Sequence, residues 1–201
     1  MPSIRQNNEH ERIIRLSRLA MLIECEGSIT IGMCPPTKTR NRPALRAYVG
    51  ITNTAAEIIE EAKDTLISEG IGFIARPVRY GKSAGRKNRL DLNLQSFNRV
   101  VCVLTAVMPY LRSKRRQAEI VLEFVTSRQA SPSKAPYSER EWQLVTEVRK
   151  LNGRMPGHKA ITKANARLQA TDRVLQPRTV EYFERYLAMC AELKAALKSA
   201  A

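Results

Sequence analysis

Between Leu19 and Gly27 the chain reads Leu-Ala-Met-Leu-Ile-Glu-Cys-Glu-Gly, and Ser28-Ile29-Thr30-Ile31-Gly32-Met33 follows at once with the alternation of a strand. Upstream, Ile13, Leu16, Leu19, Ala20 and Ile23 recur at helical spacing, which predicts a helix over about residues 11–26 with one buried face. Gly27 is a natural stop, because glycine accepts the left-handed conformation past a helix end. The two acids then fall at the carbonyl end of the helix, where partial negative charge disfavours each by roughly a few tenths of a kcal/mol. Glu24 and Glu26 therefore call for a nearby cation, and a bound metal ion is the expected one.

The elements that follow narrow the fold. Strand patterns at residues 28–34 and 45–53 flank a loop rich in Pro, Lys and Arg, a hairpin with a long basic tip. Helix resumes from Thr54, a candidate N-cap, through Ile58, Ile59, Ala62 and Leu66 to a stop at Gly70. A second hairpin runs over residues 73–80 and 89–95 around the turn 81–85. Two apolar helices follow at 97–110 and 113–127, separated at Pro109. The expected class is α+β, with the order α, ββ, α, ββ, α, α over residues 11–128. Residues 129–201 form a basic helical C-terminal subdomain: a linker at 131–136, helices at 137–151 and 179–197, and between them a pattern-poor stretch carrying Arg154, His158, Lys159, Lys163, Arg167, Arg173 and Arg178.

Charge selects the partner. In 201 residues there are 34 Lys and Arg against 19 acids, a formal net charge of +15 spread along the whole chain, which favours a polyanion. Charge alone does not separate DNA from RNA. Cys25, Cys34, Cys102 and Cys190 lack metal-type spacing, and three of them lie in apolar runs, so reduced core thiols are expected. With His10 and His158 as the only histidines, a catalytic ion should be hard and oxygen-bound, magnesium above all, with manganese able to substitute. No secretory or membrane-spanning pattern is evident, so an intracellular protein is expected.

Strand parity divides the sheet into two faces. Ile29, Ile31 and Met33 oppose Ser28, Thr30, Gly32 and Cys34; Ala47, Val49 and Ile51 oppose Arg46, Tyr48 and Gly50; Leu90, Leu92 and Leu94 oppose Arg89, Asp91, Asn93 and Gln95. Same-face side chains recur every ~6.7 Å, close to the rise of roughly 6.8 Å over two base pairs, so a ribbon keeps pace with the major groove. Arg, Asn, Gln and Asp match base edges. In the third strand Pro77 interrupts, and Arg76 shares parity with Ile74, Val78 and Tyr80, so a bulge is expected to re-aim Arg76 or Arg79. The loop-tip residues Lys38, Arg40, Arg42, Lys82, Arg86 and Lys87 suit phosphates, which position without specifying.

The stretch 19–27 resembles the LAGLIDADG signature of the homing endonucleases. Leu19, Ala20, Leu22, Ile23 and Gly27 match directly, and Glu24 and Glu26 stand where that signature has aspartates. The element order is similar to the core of that family over about residues 11–128, the context such a motif requires. The resemblance implies a site-specific double-stranded DNA endonuclease, intron-encoded and magnesium-dependent. With one copy of the signature, it implies a homodimer acting on a long pseudo-palindromic target. It assigns the metal to Glu26 and the backbone carbonyl of Cys25, with Glu24 as a structural acid. It also makes Asn53 a water-orienting residue and Lys114 a basic residue near the scissile phosphate, an assignment that shares its stretch with Arg112, Arg115 and Arg116. Met21 and Cys25 depart from the small residues usual at the helix contact and should widen or re-angle it. A maturase that assists group I intron RNA and an inactive DNA-binding regulator are the competing readings.

Overall fold

The structure is a computed structural model that describes residues 4–34, 44–78, 88–132 and 135–153. Its elements are α1 (Ile4–Glu26), β1 (Gly27–Cys34), β2 (Ala44–Asn53), α2 (Ala56–Ser68), β3 (Ile74–Val78), β4 (Arg89–Leu94), α3 (Phe97–Val107), a 3-10 turn at Met108–Tyr110, α4 (Arg115–Ala130) and α5 (Glu139–Leu151). The class is α+β, as the residue patterns indicate. Lys38, Arg40, Arg42, Arg79, Lys82, Arg86, Lys87, Cys190, the basic stretch after 153 and the helix expected at 179–197 lie outside the described residues.

Two compact units emerge, one of Met1–Thr30 with Ala47–Pro136, the other of Ile31–Arg46 with Tyr137–Ala201. In the first, α1 packs on α2, α3 and the 3-10 turn, α3 on α4, and α2 on β4. Ala20, Ile23, Ile29, Val49, Ile51, Leu92, Leu94, Leu104, Val121 and Phe124 make its buried core. Phe97 meets Phe124 edge to face at 6.2 Å, tying α3 to α4. In the second unit, Ser138 and Glu141 form a capping box at the start of α5. Tyr137 accepts the Leu45 N–H at 2.8 Å and stacks edge-on against Trp142.

Sheet order is β1-β2-β4-β3, with β4 antiparallel to both β2 and β3. The β3–β4 register runs unbroken from Ile74↔Asn93 to Val78↔Arg89, so the expected bulge is absent from it. Opposed residues share a face, and Arg76 stands opposite Asp91 while Ala75 and Pro77 stand opposite Leu92 and Leu90. Parity alone misled because β3 is a short edge strand, where a proline is tolerated and Ile74 and Val78 remain half-exposed on the polar face.

Several local expectations are corrected. α1 begins at Ile4 rather than near residue 11, since hydrophobic periodicity marks only the buried part of a helix. The φ of Gly27 is not positive. A Cβ there would lie 2.7 Å from the Cα and carbonyl oxygen of Ile23, so close approach is the reason for glycine. Gly70, at φ 66°, is the left-handed stop, with Gly70 N–H to Ile67 O at 2.9 Å and Ile71 N–H to Leu66 O at 2.8 Å forming a Schellman motif. Thr54 does not cap α2: Asn53 Oδ1 accepts the Ala55 N–H at 2.9 Å, and this turn moves the helix start to Ala56. Cys25, Cys34 and Cys102 are free thiols, yet Cys25 and Cys102 are exposed, because each occupies the outward side of its helix.

Candidate acidic centre and nucleic-acid interface

Helices α1 and α4 each end with the wrong charge. No basic residue lies in the last turn of α1, and no acidic residue lies in the first turn of α4, where Lys114, Arg115 and Arg116 crowd the positive end. The fold exchanges them. Glu24 accepts the N–H groups of Arg112 at 2.8 Å, Ser113 at 3.0 Å and Lys114 at 3.0 Å, together with the Ser113 hydroxyl. In return, Lys114 Nζ donates to the carbonyls of Ile23 and Gly27, at 2.8 Å each. The Lys114 ammonium thus supplies one cation at the carbonyl end of α1, beside the two acids. Partial burial pushes the Glu24 carboxyl up, but the hydrogen bonds from the Ser113 hydroxyl and the N–H groups of Lys114, Arg112 and Ser113 outweigh it and hold the group at about 2.

Glu26 is the opposite case. It is exposed, the last residue of α1, and makes no hydrogen bond or ion pair among the described residues. Cys25 is exposed beside it. Of the basic residues near the start of α4, Lys114 is the one aimed at α1; Arg115 and Arg116 pair with Glu119 at 3.5 and 3.4 Å, and Arg112 contributes its N–H. Asn53 ends β2 opposite Leu90, with its side chain engaged in the Ala55 turn.

At about 100° per residue, Ile14, Arg18, Met21 and Cys25 fall in one stripe along α1. Met21 is 69% exposed and Ile14 43%. Arg18 pairs with Glu61 of α2 at 2.9 Å. Large apolar side chains are thus left facing outward along the same helix that ends in Glu26.

The polar sheet face is partly pre-organised. Tyr48 lies over Gly50, where a Cβ would meet its ring, and donates to Asn93 Oδ1 across the ladder. Thr52 donates to Asp91 Oδ1 at 3.0 Å, and Arg89 pairs with the same oxygen at 3.0 Å. Arg76 is exposed opposite Asp91; Gln95 and Arg46 are exposed; Ser28 and Thr30 are half-buried. Ser113 and Thr52 were not singled out from sequence. Ser113 precedes a helix start, a weak signal, but its partner lies in another helix far along the chain.

No protein-family model and no curated protein sequence matches the chain. Solved structures do. The homing endonuclease I-CvuI, in complex with the I-CreI target and magnesium, aligns at a TM-score of 0.50 with 13% identity, over 92% of this chain and 97% of that one. I-CvuI with its own target and calcium gives 0.50 and 14%, over 94% and 96%. A variant of I-SmaMI gives 0.50 and 14%, over 82% of this chain and 50% of that one. The matched architecture, the sheet with one polar face, and the α1 motif at its edge agree on one conclusion: the chain is built on the fold of the LAGLIDADG homing endonucleases.

Proposed function

We propose that the protein is a homodimeric, divalent-metal-dependent endonuclease that cuts double-stranded DNA at a long, nearly palindromic site, and that it is the product of an intron. The observation that carries this reading is Glu26, an exposed carboxylate without a partner among the described residues at the end of a helix whose outward stripe is apolar. Support comes from the polar sheet face, the net charge of +15 and the fold. The I-CvuI structures are DNA complexes with magnesium or calcium.

The donor chemistry fits a hard cation. Magnesium is held by one or two carboxylates plus phosphate oxygens and water. Glu26, with the backbone carbonyl of Cys25, supplies one such carboxylate, and no group of three His, Cys, Asp or Glu side chains that could hold a metal occurs among the described residues. A second copy, meeting this one along Ile14, Met21 and Cys25, would bring the second Glu26. When bound, a divalent ion neutralises the phosphate and activates water for attack. Lys114 holds positive charge at the α1 terminus, where it offsets the charge that develops on the phosphate. Asn53 orients water at the end of β2. Ser28, Thr30, Arg46, Tyr48, Arg76, Arg89, Asp91, Asn93 and Gln95 line the base-reading face, and the basic residues of the loop tips and of the segment after 153 bind phosphates.

Selection of cleaved sites from a randomised duplex library in magnesium, run beside Glu26→Gln, tests the reading. One pseudo-symmetric site cut by the wild type alone is the expected result. Binding to duplex without cleavage would return the protein to a DNA-binding regulator, and preference for structured intron RNA to a maturase.

A further inference from the structure

The two acids of the motif stand two residues apart, and on a helix such neighbours point in nearly opposite directions. Glu26 faces out, while Glu24 faces α4 and is half-buried. We infer that Glu24 is a positioning residue for cleavage that acts through Lys114, an inference that rests on the nuclease reading above. A lysine has a flexible four-carbon stem, so its ammonium is aimed only when both ends of the residue are fixed. Here both are. The Lys114 N–H is held by Glu24 Oε1 at 3.0 Å, and Lys114 Nζ is held by the Ile23 and Gly27 carbonyls at 2.8 Å. Ile23 and Gly27 bracket both acids, so the clamp closes on itself: Glu24 sets the backbone of residues 112–114, and that backbone returns the ammonium to the residue adjoining Glu26.

The arrangement divides labour between the acids. Glu24 is committed to donors of its own chain, whereas Glu26 makes no hydrogen bond or ion pair among the described residues. Replacing Glu24 by Gln removes the charge and turns one of the two accepting oxygens into an N–H donor, so part of the donor set of residues 112–114 loses its acceptor and the lysine backbone is freed to shift. Misplacement of a reacting group by about 1 Å costs about 10²-fold in rate.

The experiment compares wild type, Glu24→Gln, Glu24→Asp, Lys114→Met and the double variant Glu24→Gln/Lys114→Met, on the duplex recovered from the library. Single-turnover cleavage by Glu24→Gln should fall about 10²-fold with the DNA Kd nearly unchanged. Glu24→Asp should recover part of that rate, and the Glu24→Gln effect should vanish in the Lys114→Met background. In the free protein with 13C-labelled lysine, the Lys114 side-chain resonance, assigned by its loss in Lys114→Met, should move toward the other lysines in Glu24→Gln. If Glu24→Gln does not fold, Ser113→Ala removes one donor to the clamp and should shift rate and resonance in the same direction. A Glu24→Gln rate equal to that of an active wild type, or additive losses in the double variant, would overturn the inference alone. A wild type that cuts no duplex would overturn the nuclease reading and this role with it.

Discussion

At Glu24 the donors of residues 112–114 favour the ionised carboxylate, so its contribution to stability depends on pH in a definite direction. The folded value, about 2, lies below the ordinary 4.5. The stabilisation is therefore present above 4.5 and lost as pH falls through about 2. Thermal melts of Glu24→Ala should show a lower Tm than wild type at neutral pH, with the gap closing between those limits. A gap that stays constant down to pH 2 would mean the carboxylate is not held as described. At Glu26 the expectation is different, because that side chain is exposed and has no partner among the described residues: Glu26→Gln should keep the wild-type Tm and most DNA affinity while cleavage is lost. Gly27→Ala should destabilise, since its methyl would meet backbone atoms of Ile23 at 2.7 Å.

Among elements, the stability of the first unit depends on how α3 and α4 meet. Phe124 is fully buried against Phe97, and Phe124→Ala should cost about 3–5 kcal/mol by cavity formation, read from urea unfolding. Ser138→Ala, which removes the hydroxyl from the capping box of α5, should cost about 1 kcal/mol. These elements were legible in the sequence because each is amphipathic or bounded by a breaker: Ile59, Ala62 and Leu66 mark α2, Pro109 separates α3 from α4, and Leu92 and Leu94 mark β4. What stayed hidden was long-range. No local pattern tells that Glu24 caps a helix starting at Arg115, that Arg76 faces Asp91, or that Tyr48 reaches over Gly50 to Asn93. Cross-strand register and helix-to-helix capping arise from tertiary placement, which periodicity does not encode. The two motif acids were visible from sequence, but the donors that hold Glu24 were not.

For the whole molecule, the net charge of +15 and the outward α1 stripe are the features on which the proposed DNA binding and homodimer rest. DNA affinity should fall steeply in a sodium chloride titration, because phosphate contacts release counterions; a flat response would remove the phosphate contacts. Met21→Lys places a charge on a side chain that is 69% exposed, so the fold should persist while sedimentation shows loss of the proposed dimer and cleavage disappears. The clamp also sets an order of events during synthesis. Its hydrogen bonds span 87 to 91 residues of sequence, a separation that slows formation of the contact relative to local structure. The signature helix leaves the ribosome early with its acid unanchored, and only emergence of the start of α4 completes it. A nascent chain stalled before residue 112 would therefore carry the full motif without its lysine, so readiness of the acidic centre is coupled to translation of the second half of the core.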